Sequence, residues 1–356
     1  HLLEVTMRLI SAQEMFREAR ELLEGKRDDG TPCEQDLEKS ESLLNEILDN
    51  NLGNITVLYV LGSLYLTKGF HGIAHFILSQ VVQNSPEFGE AWNNLALACK
   101  GLNRWDEAAR YAKEATKFID HPDIPCNVSG LHLNRGCPEI ALEWADKALE
   151  KDPQHIKAQW HKAISLLELS KWDEAWDYHD SRLFGGANEN IAERNYHWYR
   201  KTPLWDGKTP GKVVIHGEQG MGDEIMFASC LPDAIKTGAE IIFEPSPRLH
   251  GLFTRSFPEV FVYGTDNVDG KEWIDQKGLP DFKCPLGTLP KFYRRSVESF
   301  PGTPYLIPCP EKKAFWEGKL KHKRPRIGLA WQGGVQSTRC DVRSFHPRIL
   351  AQLFKH

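Results

Sequence analysis

A glycine-rich loop that carries acidic side chains contains the residues of this chain whose types and spacing could do chemistry. In VVIHGEQGMGDEIMFA (213–228), Glu218 and Asp223 lie among three glycines directly after a β-branched run. These glycines are Gly217, Gly220 and Gly222. Glycine permits positive φ and close approach of the backbone to a ligand, and a helix start offers unpaired N–H groups. Two roles for Asp223 stay open: an N-cap, or a general base at a strand end.

The order of the glycines limits which ligands this loop could hold. It is not a Walker A loop, because no Gly-Lys-Ser/Thr follows, and this disfavours a nucleotide hydrolase or kinase. It is not a dinucleotide fingerprint either, because the order is G-x-x-G-x-G and no acid follows in a suitable strand.

A second glycine loop, WQGGVQSTRCDVRSF (331–345), carries the groups that bind phosphate. Its candidate ligands are Gly333, Gly334, Ser337, Thr338 and Arg343. Backbone amides, hydroxyls and a guanidinium together suit a diphosphate. The alternative is a solvated loop that contains arginines.

Alternating strand and helix patterns surround the first loop. KVVIHG (212–217), EIIFEP (240–245) and VFVYG (260–264) are short apolar runs separated by amphipathic segments, which is typical of a parallel α/β sheet. We therefore predict a Rossmann-like α/β domain over 212–320. We expect the segment 321–356 to form the first strand and loop of a second such domain, truncated in this chain. Ligands of open α/β sheets bind beyond the carboxyl ends of the strands, where the first loop lies.

The first half of the chain repeats with a period of 34 residues. Leu61, Gly62 and Ala74 correspond to Leu95, Ala96 and Ala108. This large–large–small pattern is the tetratricopeptide pattern, in which small residues let paired helices approach closely. The period predicts an all-α tetratricopeptide-repeat solenoid over 1–183 with an N-terminal capping helix, followed by a linker over 184–211.

Composition excludes several functional classes. The chain has 44 basic and 49 acidic side chains, so its charge gives no reason to expect a nucleic-acid partner. No apolar run approaches the roughly 20 residues that span a bilayer, and no secretory signal is recognisable. The eight cysteines form neither a C-x-x-C nor a metal-ligand spacing. These patterns predict a cytoplasmic protein with thiols and no metal.

The order of these features resembles the bacterial and phage repeat proteins that carry a heptosyltransferase-like glycosyltransferase domain. The resemblance rests on WDG (205–207), GEQGMGDEIMFA and RIGLAWQGG…RSF, after the repeats. It implies the GT-B arrangement of two facing Rossmann-like domains, with the acceptor side first and the nucleotide-sugar side second. The layout is also similar to O-linked N-acetylglucosamine transferases, whose own motifs are not seen here.

The resemblance implies roles for single residues. The Met-Gly-Asp of that family matches 221–223, so Asp223 would deprotonate an acceptor hydroxyl in an inverting, metal-independent transfer. Glu218 is the neighbouring catalytic candidate by its position at the strand end, not by the resemblance. Gln219, Gly220 and Gly222 would contact the substrate. Arg343 would hold the donor diphosphate, together with the other polar residues of the second loop.

The implied partners follow from that activity. The donor would be a nucleotide sugar, with no other cofactor, and the acceptor a protein, a lipid or a glycan. The repeats would present the acceptor or bind a protein partner. The alternative function is a non-catalytic interaction scaffold, in which a degenerate Rossmann-like unit caps the solenoid.

Overall fold

The computed structural model describes residues 2–25, 33–49, 54–185, 201–265, 272–320, 328–329, 344–346 and 348–350. The chain divides into two compact units, 1–307 and 308–356. The first unit contains the repeats and a parallel sheet. Within the described residues, no helix combines the length and the hydrophobicity needed to cross a bilayer.

Helical hairpins form the N-terminal part of the described chain. The helices are α1 Leu2–Glu24, α2 Glu34–Asp49, α3 Ile55–Thr67, α4 His71–Asn84, α5 Gly89–Gly101, α6 Trp105–Ala115, α7 Asp123–Asn134, α8 Pro138–Lys151, α9 Ile156–Glu168 and α10 Trp172–His179. Each odd-numbered helix packs against the next even-numbered one, and consecutive hairpins pack against each other. The predicted tetratricopeptide-type solenoid is confirmed by this arrangement.

The small residues of the repeat lie where the helices approach most closely. Ala74, Ala108 and Ala141 are fully buried at equivalent positions of α4, α6 and α8. At Gly62, an added Cβ would stand 2.8 Å from Leu78 Cγ, so any side chain there would push α3 and α4 apart. Close packing of the hairpins is therefore the physical reason for the 34-residue pattern.

A four-stranded parallel sheet follows the solenoid in the same compact unit. Its strands are β1 Lys212–His216, β2 Glu240–Glu244, β3 Phe261–Val262 and β4 Phe282–Pro285. The order across the sheet is β3-β2-β1-β4, and every pairing is parallel. Short helices accompany the strands: α11 Met221–Phe227, α12 Leu231–Ile235, α13 His250–Ser256, α14 Glu272–Lys277 and α15 Leu289–Tyr293. The prediction of a parallel sheet with helices between its strands is therefore confirmed.

The two faces of the sheet are buried against different partners. On one face Val213, Ile215 and Phe243 share a core with Trp176, which belongs to the last solenoid helix. On the other face, Val214 and Ile242 pack against Trp273. The indole of Trp176 also donates a hydrogen bond of 2.7 Å to the carbonyl of Arg294. The sheet is therefore packed directly onto the end of the solenoid.

Part of the predicted linker belongs to the sheet. Trp205 is 3% exposed, its amide donates to Lys283 O at 2.9 Å, and Leu204 forms a parallel bridge to Lys283. Residues 186–200 of that segment lie outside the described residues.

The second compact unit contains helix α16, Pro310–Lys319. The strand predicted near 325–334 and the loop after it fall almost entirely outside the described residues. The proposed start of a second Rossmann-like domain stays a prediction.

Candidate functional site

The loop after β1 is positioned by the close approach of helix α11 and not by unusual dihedral angles. Glycine permits positive φ, but Gly217, Gly220 and Gly222 do not use it. Gly217 is needed for a different reason: a Cβ there would lie 2.4 Å from Glu224 Oε1. The carboxylate of Glu224 in turn accepts the amide of Ser246 at 2.9 Å. The close approach of helix α11 to the loop explains this glycine.

Asp223 lies in the first turn of α11 and is half-buried. Gly220 is the N-cap and Asp223 is the third residue of the helix, so Asp223 does not take the N-cap position that was one of its two open roles. Its Oδ2 accepts the backbone N–H of Gly220 at 3.2 Å. A carboxylate in this place offsets the positive end of the helix and satisfies one of its unpaired N–H groups. Gly220 and Gly222 are exposed beside it, so the carboxylate is not sealed in the core.

Glu218, the second catalytic candidate, is buried in an ion pair. Only 4% of its side chain is exposed, and its Oε1 lies 2.5 Å from Arg182 Nη2. Its Oε2 accepts Arg182 Nε at 3.2 Å, and Oε1 also accepts the backbone N–H of Gly287 at 2.9 Å. Both carboxylate oxygens therefore have partners, and the geometry favours a structural role over that of a base. The catalytic role of Glu218 stays a prediction.

Arg182 connects the end of the solenoid to the sheet. Its guanidinium is fully buried and also donates to Asp180 Oδ1 at 2.9 Å and to Thr288 Oγ1 at 3.1 Å. We call Arg182, Glu218, Asp180 and Thr288 the junction cluster. Sequence reasoning missed Arg182, because it placed this residue at the end of the repeats, beside the linker, and no local pattern marks it.

A cavity lies at the carboxyl ends of β1 and β4. Its volume is about 500 Å³, and its lining includes Phe184, Leu204, His216 and Lys283. In the strand order β3-β2-β1-β4, the neighbouring strands β1 and β4 flank the point where the order reverses, which is the usual ligand position in such sheets. Neither Asp223 nor Glu218 belongs to this lining. His216 was not among the predicted site residues.

The environment of His216 disfavours its charged form. The side chain is 3% exposed, and burial, with the nearby charge of Lys283, lowers its pKa to about 3. His216 is therefore neutral at pH 7.

A second cavity runs along the first helices of successive hairpins. It has a volume of about 420 Å³ and includes Tyr59 of α3, Asn93 and Asn94 of α5, and Asn127 of α7. We call it the repeat groove. Asn127 Nδ2 donates to Asn93 Oδ1 at 3.0 Å, and Asn94 Nδ2 donates to Ser63 Oγ at 2.9 Å. Since Asn93 and Asn127 are one repeat apart, the period that builds the scaffold also aligns two side-chain amides.

The structure says little about the remaining predicted site residues. Gln219 is half-buried in the first loop. Five predicted donor ligands lie outside the described residues, namely Gly333, Gly334, Ser337, Thr338 and Arg343. The seven described cysteines form no disulfide, in agreement with the thiols expected from the sequence.

Comparisons with known proteins give one sequence relative and several similar solved structures. Protein FlbA of Caulobacter vibrioides is 28% identical over an alignment of 281 residues, which covers 72% of this chain and 45% of the relative. The chain therefore spans about half the length of that relative. No family model matches the chain.

The similar solved structures cover about half of the chain at low identity. A tetratricopeptide-repeat protein of Thermus thermophilus, TTC0263, is 16% identical, covering 50% of this chain and 93% of its own, with a TM-score of 0.39. PilF of Pseudomonas aeruginosa is 16% identical, covering 51% of this chain and 79% of its own, with a TM-score of 0.43.

Proposed function

We propose that this chain is a protein-interaction scaffold that binds an extended peptide segment in the repeat groove. The observation that carries the proposal is the pair of side-chain amides at equivalent positions of neighbouring repeats, Asn93 and Asn127, within one cavity. Their mutual bond leaves Asn93 Nδ2 as a donor and Asn127 Oδ1 as an acceptor, without other protein partners among the described residues. A peptide unit offers one acceptor and one donor, so it complements this pair.

The charges of the groove favour a peptide of mixed charge. Glu90 and Asp123 contribute carboxylates, and Lys157 contributes an ammonium group. The acid Asp123 is partly satisfied by His155, whose Nε2 lies 2.8 Å from its Oδ1. Recognition would therefore depend on backbone hydrogen bonds more than on a single ion pair, which suits an extended segment.

In this function the sheet caps the solenoid. The core shared by Trp176 and the strand residues covers the last helix pair, whose apolar side would otherwise face water. This corresponds to the non-catalytic alternative of the sequence analysis.

A peptide library displayed on phage and selected against the purified chain tests the proposal. Selected peptides are then titrated by fluorescence polarisation into wild type, N93A/N127A and the control N84A. Asn84 is exposed at the end of α4 and bonds to Gln80 O, away from the groove. Two neutral hydrogen bonds at about 0.5–1.5 kcal/mol each predict a loss of roughly 5- to 150-fold for N93A/N127A, and none for N84A. Equal affinity of N93A/N127A and wild type would overturn the proposal.

Heptosyltransferase-like sugar transfer is the second candidate function. It is supported by the parallel strand order β3-β2-β1-β4, which matches the first four strands of the Rossmann order, and by the cavity at the β1–β4 ends. Under this proposal the sheet is the acceptor side of a GT-B enzyme, and Asp223, half-buried beside exposed glycines, is the base.

Two experiments distinguish the second candidate function from the first: a test of nucleotide-sugar binding and a substitution of Asp223. Saturation-transfer NMR with a panel of nucleotide sugars would give signals if a donor binds, and D223N would abolish transfer with donor affinity nearly unchanged. The matched control is D275N, since Asp275 is an exposed acid of α14. No signal from any donor, or full turnover by D223N, would contradict the second candidate.

A further inference from the structure

Three side chains with metal-binding atoms meet between two repeats. His75 lies on α4, Cys99 on α5 and Glu107 on α6, and their ligand atoms lie within 4.8 Å of one another. No metal was predicted from the sequence, because its cysteines form neither a C-x-x-C nor a zinc-finger spacing with histidine. Hairpin packing brings the three residues together.

All three groups lack another partner among the described residues. The Nε2 of His75 is buried without a hydrogen bond. Cys99 is a free, buried thiol, and the carboxylate of Glu107 lies in the same cluster without a hydrogen bond or ion pair among the described residues. A buried polar atom without a hydrogen-bond partner costs about 1–3 kcal/mol. A ligand bound to His75 Nε2 would remove this cost.

From this geometry we propose that His75, Cys99 and Glu107 form a zinc-binding site that links two neighbouring repeats. An imidazole nitrogen, a thiolate and a carboxylate are the ligands that Zn²⁺ takes in proteins, whereas Mg²⁺ and Ca²⁺ prefer oxygen alone. Tetrahedral zinc needs ligand atoms about 3.5 Å apart, so a small contraction of the cluster suffices. A thiolate and a carboxylate also neutralise the two charges of the ion.

The burial of the cluster agrees with such a site. Cys99 is fully buried, while His75 and Glu107 are half-buried, so one side is reachable for the ion. Three protein ligands leave one position of the tetrahedron for water. Nearby Arg104 and Arg110 oppose a cation, but they also stabilise the thiolate form of Cys99.

Binding must release a proton. Zinc binds the thiolate form of cysteine, so the Cys99 thiol loses its proton when the ion binds. The Zn²⁺–S bond forms as the S–H bond breaks, and the proton passes to the buffer. Affinity for zinc is therefore expected to increase with pH.

Cobalt absorption tests the site directly. The purified full chain is treated with EDTA, dialysed and titrated with Co²⁺, which gives a charge-transfer band when bound to thiolate. We expect one equivalent of Co²⁺ with this band, its displacement by Zn²⁺, and a higher melting temperature with Zn²⁺ present. C99A is expected to lose the band, and E107Q to lose at least the roughly tenfold in affinity that removing a mere hydrogen-bond partner of a metal ligand costs.

The next pair of similar residues supplies the control. Cys126 Sγ lies 3.6 Å from His161 Nδ1, but no carboxylate completes a cluster there among the described residues. C126A should therefore keep the band. E107Q is isosteric at a half-buried position, so it tests the site even if C99A folds poorly. Absence of the band in wild type, or an unchanged band in both C99A and E107Q, would overturn the proposal.

Discussion

Replacing Glu218 by Gln should destabilise the junction between the solenoid and the sheet. The substitution keeps the shape of the side chain but removes the charge that faces Arg182 Nη2 at 2.5 Å. Removing one partner of a buried ion pair costs about 3–5 kcal/mol, because the other charge stays buried. Asp180 remains 2.9 Å from the same guanidinium, so we expect the lower end of this range, about 3 kcal/mol.

Hydrogen exchange of the strand amides is the appropriate assay. A solenoid joined to a sheet need not unfold in one step, whereas exchange at β1 and β4 reports the opening of the sheet alone. The matched control is E240Q: Glu240 lies on β2 and pairs with Lys277 at 3.7 Å, and both side chains are partly exposed. Exposed pairs contribute about 0–1 kcal/mol, so this variant should exchange nearly as wild type does.

A double-mutant cycle with Arg182→Met checks the reasoning. If Glu218 acts through Arg182, the loss in R182M/E218Q must be at least about 1 kcal/mol smaller than the sum of the two single losses. Strictly additive losses, or an E218Q variant as stable as E240Q, would refute the account of the junction cluster. Such a result would mean that Glu218 does not stabilise the junction between the solenoid and the sheet.

Three further changes have expected outcomes. G62A should lower the free energy of unfolding of the repeats by about 1–3 kcal/mol, because the added Cβ meets Leu78. G72A on α4 places its Cβ in open space and should raise this free energy by up to about 1 kcal/mol. Urea titrations followed by circular dichroism measure both variants, and equal effects would contradict the packing argument. His216 has a folded pKa of about 3 against 6.5 unfolded, so the unfolded chain binds more protons between these values and stability falls on acidification from pH 7. At pH 5 this term is about 2 kcal/mol, and H216Q should lose stability between pH 7 and 5 by that much less than wild type; parallel pH profiles would refute it. D223A should cost about 1 kcal/mol, since the Gly220 N–H loses its acceptor, while D223N keeps an acceptor and should cost less; thermal melts of both variants decide this.

The helical repeats could be predicted closely from the sequence. Their period fixes which positions are large and which are small, and the structure places Ala74, Ala108 and Ala141 at the helix contacts. The parallel strands were also recognisable, because buried strands such as β1 and β2 form continuous apolar runs.

The candidate sites were less predictable. The sequence marked Glu218 as an acid beside glycines but could not indicate that Arg182 would neutralise it from another element. It also could not indicate that Asp223 would take the third position of its helix. Local patterns specify backbone geometry, whereas the partner of a charged side chain depends on which elements meet.

The sequence by itself determined the periodic architecture. Helix pairing and strand burial require apolar and small residues at fixed spacings, and these spacings can be recognised in the sequence. Only the tertiary structure decided which polar groups come together: the amides of Asn93 and Asn127, the junction cluster, and the group of His75, Cys99 and Glu107. Each of these sets joins residues of different helices or loops. Their contacts depend on the packing of whole elements in space, and this packing leaves no spacing motif along the chain.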